Sequence, residues 1–311
     1  ESESKLKFSA QIRWWSFMYA IQHMWVGYEI NDHSEVQYGI TEAPFGAKPS
    51  ISSSFWYSLN YYVGLEGDHD AGLKYLYDRD GLNVQLAFFR NEEYSDPGAT
   101  NRWAPDLIVN DDQQNFERNQ WNARVAKVFG HDPANTTELG LSLEAGQIAN
   151  QLTSGNGSRW AAALHYVGHY GRWNPYAQVS RYEYEPNNPD GVDNRTVLMG
   201  FFDDRRLVAA KATTLVGGLR RYWDIDWGPF DKLNAYLEYS TVLKDENSFA
   251  DSKLFNPGVV MQSGPFYLWM DLLVAQNAWW FNDSQANSGP GEGSLSGDWE
   301  LRTNFSLQWY F

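Results

Sequence analysis

The chain has 311 residues and no cysteine, and its 39 Asp and Glu outweigh 24 Lys and Arg to give a formal net charge of −15. That balance argues against nucleic acid, which selects basic faces, and the missing cysteine removes disulfide frameworks and thiolate metal sites. Apolar content of 43% excludes wholesale disorder, yet mean hydropathy is −0.55 and no 18-residue apolar run could form a membrane helix.

Alternation with a period of two runs along the chain, which is the strand signal. Strands are expected at about 6–17, 24–31, 35–43, 69–78, 82–92, 118–130, 136–148, 159–170, 174–185, 213–225, 232–243, 257–262, 266–278 and 298–311. In 136–148, Leu139, Leu141, Leu143 and Ala145 share one parity while Glu138, Ser142 and Glu144 share the other. In 159–170, Trp160, Ala162, Leu164 and Tyr166 oppose Arg159 and His165. The final strand sets Trp299, Leu301, Phe305, Leu307, Trp309 and Phe311 against Glu300, Arg302, Asn304 and Gln308.

Short turns such as "DRDG" (78–81) and "GRWN" (171–174) alternate with long Gly/Pro/Ser-rich stretches at 45–67, 92–117, 149–158, 186–210, 244–256 and 281–297. This pattern predicts an all-β, up-and-down antiparallel transmembrane β-barrel of about fourteen strands, with short periplasmic turns and long extracellular loops. No linker interrupts it, so residues 1–311 read as a single domain. Two further strands within 194–212 would make sixteen; that stretch reads as a loop with local structure, and "AIQHMW" (20–25) as a short first connection. If the protein is exported, its signal peptide is already gone and Glu1 lies near a mature start.

A soluble sandwich also alternates, but needs no aromatic girdle. Here the apolar parity begins or ends in rings, as in Trp121 and Phe129 or Trp160 and Tyr170, which is the expected signature of two membrane interfaces. Lys74, Arg124, Glu144, His165, Glu238 and Asp271 fall at mid-strand, where charge is tolerable toward a watery lumen and not toward lipid. The polar parity also carries Arg13, Trp15, Phe17, Tyr19, Trp25, Glu29, Tyr182, Tyr184, Arg220, Tyr222, Tyr236 and Trp269. Rings beside carboxylates and guanidiniums suit sugars, whose apolar faces stack while hydroxyls meet charged partners. The expected pore lining is therefore Arg13, Trp15, Tyr19, Trp25, Glu29, Lys74, Arg124, Glu144, His165, Tyr182, Arg220, Tyr236, Glu238, Trp269, Asp271 and Arg302, with 45–67 and 92–117 the segments expected to narrow it.

No catalytic motif of a hydrolase, metalloprotease or nucleotide-binding enzyme is present, so no catalytic residue and no cofactor are expected. "GDHDAG" (67–72) and "VNDDQQN" (109–115) offer carboxylates suited to calcium, but their spacing matches no defined loop and no metal site is assigned.

With about fourteen strands, this length, no cysteine and the aromatic-rich "QIRWWSFMYA" (11–20), the sequence resembles the cyclodextrin/oligosaccharide porins of enteric bacteria. The resemblance implies a monomeric channel in a Gram-negative outer membrane, passing bulky glucans passively, among outer-membrane lipid and lipopolysaccharide. The terminal Phe311, with Trp309 and Leu307 before it, resembles the signal read by the barrel-assembly machinery. "VQYGITEAPFG" (36–46) is similar to phosphate-selective porins, which rely on basic ladders that an acidic chain does not supply. A general or anion-selective porin, a plugged structural or adhesin barrel and a soluble sugar-binding β protein stand as alternatives.

Overall fold

The computed structural model describes residues 5–54, 57–94, 96–110, 112–279, 290–295 and 297–310. Its strands are β1 (Leu6–Trp14), β2 (Tyr19–Asn31), β3 (Ser34–Glu42), β4 (His69–Arg79), β5 (Leu82–Glu92), β6 (Asp106–Leu107), β7 (Val109–Asn110), β8 (Gln113–Phe129) and β9 (Asn135–Asn150). They continue as β10 (Asn156–Tyr170), β11 (Trp173–Glu185), β12 (Thr196–Phe201), β13 (Asp204–Ala209), β14 (Lys211–Trp227), β15 (Phe230–Lys244), β16 (Ser252–Ser263), β17 (Phe266–Gln276) and β18 (Glu300–Trp309).

Fourteen of these form one antiparallel path in the order β1-β2-β3-β4-β5-β8-β9-β10-β11-β14-β15-β16-β17-β18, each strand paired with the next along the chain. Its ends are β1 and β18, and no strand register joins them among the described residues. The two extra strands within 194–212, β12 and β13, are not wall strands: they pair with each other, and β12 with β6, in a separate three-stranded sheet. The first connection differs from expectation. β1 stops at Trp14, a tight turn is closed by the Trp15 amide on the Met18 carbonyl, and "AIQHMW" lies inside β2.

The two faces of the path differ in chemistry. Leu139, Leu141 and Leu143 on β9 are exposed while Ser142 and Glu144, of the opposite parity, are buried. On β18, Leu301, Phe305 and Leu307 are each about seven-tenths exposed. Rings gather toward strand ends on this outer face: Phe129, Tyr170, Trp173, Trp227, Phe266 and Trp309 near the short turns, and Trp14, Tyr19 and Trp160 near the long loops. A continuous apolar surface of this extent is not a water-facing one. No described helix is long and apolar enough to cross a membrane, which says nothing of strands.

The inner face is buried because the long connections fold over it. At the long-loop end, the 3-10 turn Tyr61–Val63, Leu107, Val197, Met199, Phe201 and Trp279 pack on wall residues Ile148, Ala161, Ala163, Tyr182, Tyr184 and Leu273 in one apolar cluster. Phe201 meets Trp279 edge-on with centroids 4.4 Å apart.

Candidate functional site

Residues 43–68, between β3 and β4, turn inward and are fastened to the opposite wall. Gly46 makes the turn with φ of 65°, a conformation few side chains adopt. A Cβ there would also sit 2.6 Å from Gln178 Oε1. Its amide donates to Ser142 Oγ (3.0 Å) and its carbonyl accepts from Arg124 Nε (2.7 Å); the next amide, of Ala47, donates to Gln178 Oε1 (3.0 Å). Farther on, Ser52 Oγ and the Ser53 amide donate to the two oxygens of Glu238, each at 2.7 Å. Tyr176 Oη donates to Glu238 at 2.6 Å, so Ser53 Oγ donates to Tyr176 and accepts from Arg220 Nε at 2.6 Å. Arg220 also reaches the Ile51 carbonyl (2.8 Å) and lies 4.3 Å over the Tyr176 ring. A buried carboxylate with its lone pairs filled in this way is a rigid anchor.

Between this segment and β1–β4 lies a cavity of about 600 Å³. Its walls mix hydroxyls and amides (Ser9, Gln11, Gln22, Ser50, Ser54) with Arg13, Lys74, Glu42 and Glu66 and with the rings of Trp25, Tyr57, Trp103 and Trp269. Arg13 donates to Gln22 (2.8 Å) and lies 4.9 Å over the Trp103 ring. Lys74 donates to the Glu42 carbonyl (2.9 Å), while Lys48 pairs with the Glu42 carboxylate (3.0 Å). Burial pushes the Glu66 carboxyl up to about 7, although Ser58 donates to it at 2.7 Å.

Of the residues expected to line a pore, Arg13, Trp25, Lys74 and Trp269 border this cavity. Trp15 packs instead on Trp103 and Phe202, and Glu29 pairs with Lys7 near a short turn (2.5 Å). Arg124, Glu144, His165, Arg220, Tyr236, Glu238 and Asp271 project from the inner face but are engaged by protein partners. Arg124 and His165 share Glu138 (2.8 and 2.9 Å), Glu144 bonds Asn122 (2.9 Å) and Arg159, and Tyr236 donates to Asp271. Arg302 keeps the inner parity but is exposed.

Two expectations are corrected. Tyr19 pairs with Trp14 on the outer face and is 58% exposed, because the first turn falls before it and resets the parity. Phe17, in that turn, is likewise exposed. Tyr182, with its neighbour Tyr184, has the inner parity but is sealed in the apolar cluster, since the loops that cover it are themselves apolar. Phe311, the expected assembly signal, lies outside the described residues. Sequence reasoning missed Ser52, Ser53 and Tyr176. The small, uncharged run "SISSS" (50–54) is the signal that could have marked a backbone able to lie against a wall.

A second cluster sits at the stem of the inward segment. Arg102, fully buried, donates to Glu92 (3.1 Å), Glu93 (3.1 Å) and Asp106 (3.2 Å). Asp68, Asp70 and Asp106, all buried, bring one carboxylate oxygen each within 4.8 Å of the others. Burial, then the neighbouring Asp106, push the Asp68 carboxyl up to about 7.

No protein-family model matches this sequence, and no curated protein matches it. Solved structures do. The outer membrane channel DcaP of Acinetobacter baumannii superposes with a TM-score of 0.66 at 10% identity, over 100% of this chain and 82% of that one. The fold is that of an outer-membrane channel. Outer-membrane expressed OmpT of Vibrio cholerae matches with a TM-score of 0.54 at 12% identity, over 99% of this chain and 85% of its own. An anion-selective porin from Comamonas acidovorans matches with a TM-score of 0.51 at 13% identity, over 92% and 76%. At such identities the likeness carries the fold and not the solute.

Proposed function

We propose that this protein is a passive diffusion channel of a Gram-negative outer membrane, a β-barrel whose outer face meets lipid and lipopolysaccharide, selecting hydroxyl-rich solutes of the oligosaccharide type. The observation that carries the reading is the cavity of about 600 Å³ beside the anchored inward segment, where the apolar rings of Trp25 and Trp269 stand among serines, glutamines, Arg13 and Lys74. Small-molecule sites span about 300–1,000 Å³ and combine apolar faces with a few placed polar groups. A sugar uses both at once: its ring face stacks on indole and its hydroxyls exchange water for side-chain partners. Linear sugars fit this reading better than cyclodextrins, because a linear chain threads end-on while a rigid ring must pass whole. No covalent step and no cofactor enter it, and the channel works as a monomer.

Planar-bilayer conductance titrated with maltose, linear maltodextrins and cyclodextrins tests it. Transient, concentration-dependent blockade by the linear sugars supports the reading. Anion-selective current without sugar blockade would replace it with an anion channel, which Arg13 and Lys74 on the same cavity favour. A closed protein would move the plugged structural barrel to the front. Trp25→Ala, which removes one stacking face, is expected to shorten sugar dwell times by about 2- to 10-fold, the worth of a ring contact.

A further inference from the structure

We propose that Asp68, Asp70 and Asp106 hold a hard divalent cation of the calcium type, which clamps the stem of the inward segment to the wall and to the loop after β5. The three carboxylates come from three places: Asp68 ends the inward segment, Asp70 lies on β4 and Asp106 on β6. Oxygens within 4.8 Å of one another suit a common ion at 2.3–2.6 Å from each, as calcium takes them.

Two observations beyond the clustering point to a ligand. The first is that the buried oxygens at this place are short of protein donors among the described residues. Neither oxygen of Asp68 nor Oδ1 of Asp70 receives a well-formed hydrogen bond, although the adjacent His69 amide lies close enough to act on Asp68, and Thr41 Oγ1, directly opposite Asp70 in the β3–β4 register, also lacks a partner. Gln120 donates its amide to Asp70 Oδ2 (3.1 Å) and keeps Oε1 unpartnered. Buried oxygens with too few donors are what a cation satisfies. The second is charge. Asp68, Asp70, Glu92, Glu93 and Asp106 are all buried, while Arg102 is already divided among Glu92, Glu93 and Asp106, and buried Arg159, which also acts on Asp68 and Asp70, is paired with Glu117 and Glu144. At Glu238, by contrast, three donors fill one carboxylate, so burial alone does not produce this arrangement.

The ligand set is all oxygen, which favours hard cations over zinc or copper. The site requires nothing of the channel reading, because binding is measured on the folded protein whether or not it conducts.

The test is calorimetric titration of Ca²⁺ into the chelator-washed, folded chain in detergent, repeated with Asp68→Asn, Asp70→Asn and Asp112→Asn, the last an exposed residue of the other acidic stretch. Saturable binding of one ion, weakened at least about tenfold by Asp68→Asn or Asp70→Asn and unchanged by Asp112→Asn, is expected. No saturable binding to the wild-type chain, or binding that both cluster variants keep intact, overturns it; a proton would then be what neutralises the nest. Should a cluster variant fail to fold, the wild-type chain decides alone: calcium is expected to raise its unfolding temperature and slow protease cleavage within 43–68, and no effect on either overturns the clamp.

Discussion

The inward segment meets the wall at two places built on opposite principles. At its tip, Glu238 receives Ser52, the Ser53 amide and Tyr176, with Arg220 closing the relay. At its stem, Asp68 presents two buried oxygens that receive no well-formed hydrogen bond from the described residues, beside two more carboxylates. Both anchors bury acid, but one is completed by the chain and the other asks for something from solution. The difference teaches that the donor count, and not the burial of a carboxylate, decides whether an anchor is self-sufficient.

Substitution separates the two. Glu238→Ala is expected to have the largest effect, about 3–5 kcal/mol, because it leaves the buried donors of Ser52, the Ser53 amide and Tyr176 without their shared acceptor at about 1–3 kcal/mol each. The loss should be the same with calcium or with chelator in urea unfolding, and open-channel current should become noisier as the tip detaches. Asp68→Ala should behave oppositely. With calcium at about 100 times its Kd, the variant forgoes up to about 2.7 kcal/mol of linked stability; in chelator it should be neutral or stabilising, since a buried uncompensated charge is gone. Equal losses in both buffers would erase the distinction between the anchors. Tyr176→Phe removes one hydroxyl from the tip relay and is expected to cost about 1.5–3 kcal/mol, the range for a bond to a charged group, again without calcium dependence. Thr41→Val changes one neutral oxygen at the stem and should weaken calcium binding by about 2- to 10-fold, the smallest of these effects, read by the same titration.

Much of the wall was legible. The leucines of β9 fall outward and Ser142 and Glu144 inward as their alternation required, because a strand's faces follow from a period of two and need no knowledge of neighbours. Where a turn was misplaced, as before Tyr19, one error carried the residue to the wrong face. The cavity was legible only in part. Arg13, Trp25, Lys74 and Trp269 reached it, whereas Arg124, His165 and Glu238 were taken up by inner-face or loop partners that no local pattern reveals. Asp68 and Asp70 were visible as a pair in "GDHDAG", but Asp106 arrives from the loop after β5 and made three of them.

By itself, then, the sequence determined the meander and the direction of most wall side chains, because strand patterning is local and repeats at every step. Only the tertiary structure decided where the long connections go. The side chains of "SISSS" and "GDHDAG" find their partners across the interior, on β11, β14 and β15 at the tip and on β6 and β8 at the stem. Those pairings depend on which walls face each other, a quantity that no window of the chain contains.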